Sequence, residues 1–345
     1  MTPTGTALRW LAVAVVVLAG ALFVGLSVGP VSIPVRSIVL ALVDRLPAID
    51  VHSGLNARET AILLELRAPR VVLGAMVGAT LALSGAAYQG VFRNPLADPY
   101  LLGAAAGAGL GATLAIAYRP FFGAVAPDAI PAAAFVGALA GVAAAYGLGR
   151  AAGGGRSPAA LVLAGVAVAS FLTAVQTWVL QRNSDTLREV YDWILGRLTT
   201  ADWADVRLAL PYMIVAGAAL LAHRRLLDVL RVGEDEAAAL GLHVARLRLT
   251  VVVAASLATA AAVAVSGLIA FVGIIVPHLL RLTAGSSYRR LLPLSVLFGA
   301  AFLVLADVVA RTVAAPAEVP IGVITAFVGA PFFAVVLATS RRSIW

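Results

Sequence analysis

Few side chains in this chain of 345 residues could carry out chemistry, and one of them is an acid inside an apolar run. Asp307 lies in the stretch LVLADVVART, and an acid within a membrane-spanning segment is a candidate for proton transfer. Arg311 follows four residues later, on the same face of a helix, where it could neutralise the carboxylate. We therefore interpret Asp307 as a structural partner of Arg311, which argues against a proton-coupled transporter.

Several enzyme classes are excluded by the residues that are missing. All 25 basic residues are Arg, so the chain lacks the Lys that a phosphate-binding loop of the type G-x-x-x-x-G-K-[ST] requires. With four His and no Cys, a structural zinc site is not expected. Neither H-E-x-x-H nor a complete G-x-S-x-G lies inside a predicted membrane-spanning segment. We expect no catalytic residues, no metal, no cofactor and no ATP hydrolysis by this chain alone.

The densest group of charges is the acidic run Glu234, Asp235 and Glu236 in GEDEAAALG, positions 233–241. Acids in a first turn, an Ala-rich body and a following Gly241 predict a short helix. A solvated loop helix would explain this composition. A docking helix for a cytoplasmic partner would explain it too, because an Ala-rich helix carries little side-chain bulk and fits a groove closely.

The composition is that of a membrane protein. Hydrophobic residues make up 61% of the chain and charged residues 12%, and the mean hydropathy is +0.99. Soluble domains have about 25% charged residues. The formal net charge of +8 fits Arg concentrated in cytoplasmic loops. A nucleic-acid partner is not expected, since no basic face with interleaved aromatic residues is visible.

The apolar segments predict an all-α polytopic membrane protein, formed as a single domain over residues 1–345. A spanning helix needs about 20 mostly apolar residues. The run after Trp10 is longer than a typical signal-peptide core, so we expect it to be retained. The segment 249–280 is too long for one crossing, and Ser266-Gly267 and Pro277 can break it into two helices. That division gives ten crossings, with apolar segments at 10–28, 71–92, 100–118, 129–149, 159–180, 208–222, 249–280, 291–310 and 319–340.

Small residues recur at close spacing in several of these segments, as at Gly103, Gly107 and Gly111. Such patterns let helix backbones approach one another in lipid. We expect close packing inside the bundle at most of these positions.

Ten crossings place both termini on the same side of the membrane. If that side is the cytoplasm, 14 of the 25 Arg lie inside, and most others fall in two longer outer loops, 29–70 and 181–207. Long loops count less in the positive-inside rule, so the short loops favour cytoplasmic termini. The segment 223–248, which holds the acidic run, is then cytoplasmic.

Five long motifs cover most of the chain from about residue 60 to 340. They are LRAPRVVLGAMVGATLALSGAAYQGVFRNPLADPYLLG from Leu66, GEDEAAALGLHVARLRL from Gly233, GLIAFVGIIVPHLLRL from Gly267, LLPLSVLFGAAFLVLADVVAR from Leu291 and PAEVPIGVITAFVGAPFF from Pro316. In this order, they resemble the FecCD-like permease family of ABC importers for vitamin B12, iron-siderophores and haem.

The resemblance implies a vitamin B12-permease-like bundle in the cytoplasmic (inner) membrane, paired with a second copy as a homodimer. Two cytoplasmic ATPase subunits would bind ATP and Mg²⁺, and an extracytoplasmic binding protein would deliver the substrate. The cargo would be a metal chelate, either an iron-siderophore, haem or cobalamin, moving along the dimer axis. This division of labour agrees with the missing Lys.

The resemblance also implies roles for particular residues. The ATPase would be contacted by the segment that holds Glu234, Asp235, Glu236, Ala237, Leu240 and Gly241. Gly241 would make the tight turn between two short helices, because glycine adopts left-handed backbone conformations at little cost. The acids would cap their helix or meet Arg on the partner.

At the outer face, Arg67, Arg70 and Arg311 match positions where the family presents Arg to carboxylates of the binding protein. Arg forms bidentate pairs with carboxylates and steers association. The alternative is that they are ordinary boundary residues that anchor helix ends.

Two loops complete the candidate site. The stretch RNPLADPYLLG predicts a tight cytoplasmic loop, shaped by Asn94, Pro95, Asp98 and Pro99. The Gly-rich loop AAGGGRSP corresponds to an inner gate in the family, and Ser157 is its one hydroxylated residue.

A stand-alone secondary transporter or channel is the competing hypothesis. It predicts intramembrane charge pairs or broken half-helices around a midplane site. Asp307 is the candidate charge and the break at 266–277 the candidate discontinuity. A membrane-embedded enzyme has no catalytic constellation to support it.

Overall fold

Helices form all the regular secondary structure in the part of the chain that the structure describes. The computed structural model describes residues 3–45, 53–119, 121, 129–153 and 158–340. The helices are α1 (Pro3–Ser27), α2 (Val35–Val43), α3 (Ala57–Ala61), α4 (Ala68–Val91), α5 (Ala104–Ala117), α6 (Ala129–Gly153), α7 (Pro158–Arg182), α8 (Leu187–Ile194), α9 (Trp203–Ala222), α10 (Arg224–Leu230), α11 (Glu234–Ala239), α12 (Val244–Ser266), α13 (Val272–Thr283), α14 (Tyr288–Thr312) and α15 (Ile321–Ser340).

Seven helical stretches in the described ranges are long and apolar enough to cross a membrane. These are α1, the continuous stretch from α3 to α4, α6, α7, α9, α12 and α14. Three shorter apolar helices, α5, α13 and α15, occupy the other predicted segments. The predicted fold class, an all-α polytopic bundle of about ten membrane helices, is confirmed.

The long apolar segment 249–280 is divided into two helices, as predicted, but at one of the two proposed breaks. α12 ends at Ser266, and α13 begins at Val272. Gly267 and Phe271 both have positive φ, +69° and +70°, which no α-helix accommodates. Pro277 lies inside α13 without ending it, so the division lies at Ser266-Gly267.

The two outer loops predicted at 29–70 and 181–207 are more helical than expected. The first contains α2, and the helical stretch that leads into the membrane begins at Ala57. Arg67 and Arg70 therefore lie in a helix and not in a loop. The second is shortened from both sides, because α7 extends to Arg182 and α9 begins at Trp203, and α8 lies between them.

A π-helical turn, Ile62–Arg67, joins α3 to α4 in the motif LRAPR. Pro69 has no backbone N–H and its ring crowds the carbonyl four residues earlier, so the ordinary α-helical ladder cannot pass through it. The chain responds with a wider turn, in which the Ala68 N–H donates to the Leu63 carbonyl five residues back. This turn sets the directions in which Arg67 and Arg70 leave the helix.

The core of the bundle is α4, which packs against α9, α12, α13 and α14. Close helix approach depends on glycine at two of these contacts. A Cβ at Gly78 would overlap the Gly299 carbonyl on α14, and a Cβ at Gly85 would overlap the Gly273 carbonyl on α13. α5, α6 and α7 pack against one another, and α1 packs against α14.

The bundle has two ends, which carry different groups of polar residues. The α11 end holds α10, α11, the 92–103 loop and the start of α14. The opposite end holds the C-terminus of α1, the π-helical turn and the C-terminus of α14. The 24 residues of α4 separate the two ends by about 36 Å, at 1.5 Å per residue.

Candidate functional site

α11 is a six-residue helix held against the bundle by one apolar contact and one ion pair. Gly233, with φ +140°, turns the chain into it, and Ala237 is fully buried beneath it. The Glu234 Oε1 atom accepts a hydrogen bond from Arg248 Nη2 on α12 at 2.6 Å. The Arg248 side chain is only 3% exposed, so this is a largely buried charge pair. The short helix predicted from the sequence is present.

The remaining face of α11 is open to solvent. Asp235 and Glu236 are exposed, Leu240 is 72% exposed, and Val232 on the preceding turn is 60% exposed. Apolar side chains beside exposed acids are typical of a protein-interaction surface. We call these four residues the α11 patch.

The three acids of the run differ in their contacts. No acid of the run caps α11 with a side-chain hydrogen bond, which was one of the two roles expected. Glu234 is engaged inside the chain by Arg248, whereas Asp235 and Glu236 remain available to a partner. The sequence pattern could not separate these cases, since all three acids lie in one turn.

Gly241 makes the turn expected of it, with φ +86°. Leu242 N–H donates back to the Ala237 carbonyl at 3.0 Å, which closes the turn. The helix that follows is the long α12, not a second short helix. The turn therefore connects α11 directly to a membrane-spanning element.

Asp228 is an important residue that the sequence analysis missed. Its carboxylate on α10 accepts hydrogen bonds from the backbone N–H groups of Tyr288 and Arg289, at 2.7 and 3.2 Å, and from the Ser287 hydroxyl at 2.7 Å. These N–H groups begin α14 and have no partner within their own helix. Asp228 thus caps α14 from another helix, and only the fold brings the two together.

At the opposite end, Asp307 lies in a network with two Arg. Its carboxylate accepts hydrogen bonds from Arg70 Nη2 at 2.8 Å and Nε at 3.1 Å, and pairs with Arg311 Nε at 3.1 Å. Arg70 also forms two hydrogen bonds with Glu318, at 2.8 and 3.1 Å. The expected pairing of Asp307 with Arg311 is observed, and Arg70 is a second partner that we did not anticipate.

Arg67 and Arg311 complete the C-terminus of α1. Arg67 donates to the carbonyls of Leu26 and Ser27, at 3.1 and 3.3 Å, and also to that of Val31. Arg311 donates to the carbonyls of Gly25 and Val28, each at 3.1 Å. The last carbonyls of a helix lack intrahelical partners, and cations are favourable beside them.

These contacts bear on the docking role expected for the three Arg. Arg67 and Arg311 are each 5% exposed, and all three guanidinium groups have partners inside the chain. The arrangement is the one expected if they anchor helix ends. Docking stays a prediction, and it requires a guanidinium group to exchange an internal partner for a carboxylate of the binding protein.

The loop between α4 and α5 is built from two side chain-to-backbone turns, as the sequence predicts. Asn94 Oδ1 accepts the Leu96 N–H at 2.9 Å, and Asp98 Oδ1 accepts the Tyr100 N–H at 2.8 Å. Pro99 packs against Gly273 at the start of α13. Pro95 is exposed in this loop. Ser157, the expected gate residue, lies outside the described residues.

Replacing Asp98 with Asn should change the pH dependence of stability. Burial raises the pKa of Asp98 to about 6, although the hydrogen bond from Tyr100 opposes that rise. Because the folded-state pKa lies above the unfolded value, the stabilisation is full at low pH and is lost as the pH rises through about 6. Asp98→Asn keeps an oxygen for the Tyr100 N–H and carries no charge.

We expect Asp98→Asn to be more stable than the native chain at pH 8 by about 1–2 kcal/mol, discounted because Asp98 retains some exposed area. The two should approach equal stability below the unfolded pKa of about 3.9. Thermal unfolding in neutral detergent across this range measures the difference. A difference that does not vary with pH would contradict the assignment.

The fold and the site together define a class of protein. The chain is a helical membrane protein with a short, largely exposed helix at one end, and its sequence contains no phosphate-binding loop of the G-x-x-x-x-G-K-[ST] type. Known proteins support this and specify it further. Residues 15–339 match the FecCD transport family.

Individual relatives agree over nearly the whole chain. A cobalamin import system permease of Halobacterium salinarum is 41% identical and covers 95% of each chain. An iron(3+)-hydroxamate import system permease of Bacillus subtilis is 35% identical, over 93% of this chain and 81% of that protein. A solved inward-facing structure of a metal-chelate type ABC transporter superposes with a TM-score of 0.82 and 28% identity, over 96% of this chain and 99% of that one. The chain belongs to the FecCD transport family and is a permease of the ABC importer type.

Proposed function

We propose that this permease takes up a metal chelate, delivered by an extracytoplasmic binding protein and driven by separate ATPase subunits. The names of its relatives support the cargo class, since they import cobalamin and iron(3+)-hydroxamate. We further propose that it acts as a homodimer with both termini in the cytoplasm. The α11 patch would then face the ATPase.

The α11 patch is the observation that carries the proposal. A chain without a phosphate-binding Lys needs a surface for a subunit that binds ATP. The patch combines two exposed apolar side chains with two unpaired acids at one end of the bundle. An ATPase surface with a shallow apolar groove and Arg at its rim would be complementary to it.

The contacts behind the patch suggest how a motion of the ATPase would reach the membrane. Glu234–Arg248 ties α11 to α12, and Asp228 ties α10 to the first turn of α14. A displacement of α10 and α11 would therefore act on two membrane helices together. Both connections are charge-assisted hydrogen bonds, which are stronger than neutral ones. The bundle would respond as packed elements that shift between two arrangements.

Reversing the exposed acids tests this role. In the double variant Asp235→Arg/Glu236→Arg, we expect the affinity for the ATPase to fall about tenfold or more, because rim charges on one partner then repel those on the other. Adding Leu240→Asp should weaken binding further. The measurement is ATPase binding to the purified permease in nanodiscs, followed by substrate transported per ATP hydrolysed.

Asp192→Arg is the matched control. Asp192 is an exposed acid in α8, at the far end of the 20-residue α9 from α11. Its reversal should leave ATPase affinity unchanged. Equal affinity of the double variant and the native chain would remove α11 from the ATPase contact. Transport by the permease without any ATPase subunit would contradict the proposed function itself.

Gly241 gives an independent test of the same segment. An L-residue at φ +86° is strained, although no atom would crowd its Cβ. Gly241→Val should cost at least about 1–2 kcal/mol in the turn and lower coupling, while Gly241→Asn should be tolerated, because Asn accepts left-handed conformations. Equal coupling ratios for the Val and Asn variants would show that the turn geometry is not used.

A further inference from the structure

A small cavity at the α11 end is lined by three Arg side chains. Its volume is ≈ 230 Å³, and it lies between the ends of α4 and α13 and the start of α14. The residues that line it are Gln89, Gly90, Arg93, Pro95, Arg231, Arg281 and Tyr288. Neither the α11 patch nor the network around Asp307 contributes to it.

The cationic charge in this cavity is only partly neutralised. Arg231 donates to Ser286 at 2.7 Å and lies 3.7 Å from the Asp228 carboxylate. That carboxylate already accepts three hydrogen bonds at the start of α14. Arg93 and Arg281 have no acidic partner among the described residues. The three guanidinium groups therefore have a single carboxylate nearby among the described residues, that of Asp228, which also accepts hydrogen bonds at the start of α14.

Arg281 is held in place with one donor unused. Its Nη1 donates to Gln89 Oε1, and its guanidinium lies 5.9 Å from the centroid of the Tyr288 ring. Its Nη2 is buried and has no hydrogen-bond partner among the described residues. Leaving a charged donor unsatisfied costs more than leaving a neutral one, so an oxyanion beside it would be stabilising.

The backbone of Arg93 itself has an unusual conformation. Its φ is +51°, which is uncommon for a residue other than glycine, Asn or Asp. Its N–H donates to the Gly90 carbonyl at 3.3 Å, and the next residue's N–H returns to the Gln89 carbonyl at 3.1 Å. This turn places the Arg93 side chain beside the cavity, exposed and without a partner.

We propose that this cavity binds a phosphate group, supplied by the headgroup of an anionic phospholipid. Arg matches the geometry of phosphate oxygens, and basic pockets between helices at the cytoplasmic side bind anionic headgroups. The cavity lies where α4 and α13 end and α14 begins, at one boundary of the membrane-spanning bundle. The volume suits one phosphate with part of its glycerol. The inference does not depend on the cargo or on ATP-driven transport.

Lipid retention by the purified permease tests this site without the ATPase. The permease is placed in phosphatidylcholine nanodiscs with increasing phosphatidylglycerol, and the bound phosphatidylglycerol is counted by native mass spectrometry after extraction. Each Arg near an anionic headgroup contributes about 1 kcal/mol, a factor of about five in affinity. We expect Arg93→Gln and Arg231→Gln each to weaken retention about fivefold.

Arg289→Gln is the matched control, because Arg289 is an exposed Arg at the same end and does not line the cavity. It should retain phosphatidylglycerol as the native chain does, and thermal midpoints establish that all three variants are folded. A parallel titration with inorganic phosphate separates the two sources. Phosphate binding with the same dependence on Arg93 and Arg231, without lipid retention, would support the site and assign it to free phosphate.

Two results would overturn the proposal. One is equal losses of retention in Arg289→Gln and Arg93→Gln, which would leave only general surface charge. The other is binding of neither lipid nor phosphate by the native chain. If Arg93→Gln and Arg231→Gln then weaken ATPase binding, the cavity would be assigned to an acidic side chain of the ATPase.

Discussion

Replacing Asp307 with Asn should lower the free energy of unfolding by about 3 kcal/mol, because it removes a buried charge on which two Arg depend. Asp307 is 2% exposed and pairs with both Arg70 and Arg311. Losing the carboxylate leaves an excess of positive charge between α1, α4 and α14. The denaturation midpoint in mild detergent, by heat or by sodium dodecyl sulfate, measures the loss.

Glu318→Gln is the control for the same Arg. Glu318 forms two hydrogen bonds with Arg70, but its side chain is 27% exposed, so water can replace part of the interaction. We expect its loss to cost no more than about 1 kcal/mol. A large effect at Asp307 with a small effect at Glu318 would show that burial, and not ion pairing as such, determines the cost.

The Asp307 variant also tests whether the Asp307 carboxylate carries protons during transport. If Asp307 is structural, transport should fall in proportion to the amount of folded protein. If Asp307 carries protons, the Asn variant would remain as stable as the native chain and still lose transport. That second pattern would contradict the structural role and revive a proton-coupled mechanism.

Replacing Gly137 with Ala should destabilise the contact between α5 and α6 by up to about 3 kcal/mol. A Cβ at Gly137 would overlap the Gly107 carbonyl, and a Cβ at Gly107 would overlap the Gly137 carbonyl. Both obstacles are backbone atoms, which cannot rotate away as a flexible side chain can. The two helices must separate, which loses the dispersion contacts along their length.

Gly147→Ala, on the same helix, is the matched control. Gly147 is exposed and a Cβ there would meet no atom within 4 Å. Ala is a better helix former than Gly, so this variant should be neutral or slightly more stable. Measured thermal midpoints for the two variants give the cost of helix contact directly. Equal midpoints would show that α5 and α6 can shift apart without loss.

The glycine spacing illustrates how far a sequence pattern reaches. The predicted close packing is present at Gly107 and Gly111, which lie against the backbone of α6 at Gly137 and Ala133. Gly103, the third glycine of the pattern, precedes the first residue of α5 with φ +79°, and its carbonyl lies where a Cβ at Gly141 on α6 would be. The spacing of small residues shows where another helix can come close to the backbone. It does not show which residues of that other helix make the contact.

Several features of this protein could be predicted from local sequence alone. Membrane class, the apolar segments, the short acidic helix α11 and the Gly241 turn follow from the residues themselves, because hydropathy, capping and backbone conformation act over a few neighbours. The pairing of Asp307 with Arg311 also belongs here, since four residues span one helical turn. The lack of a phosphate-binding loop was readable too, since such a loop needs a Lys that this sequence does not contain.

Other contacts were decided by the tertiary structure alone. Arg70 reaches Asp307 across 237 positions, and Arg311 reaches the Val28 carbonyl across 283. Asp228 caps a helix 60 positions away, and three Arg from separate segments line one cavity. Each of these contacts requires two helix ends to meet at one end of the bundle. Helix packing brings them together, and no local pattern in the chain encodes which ends will meet.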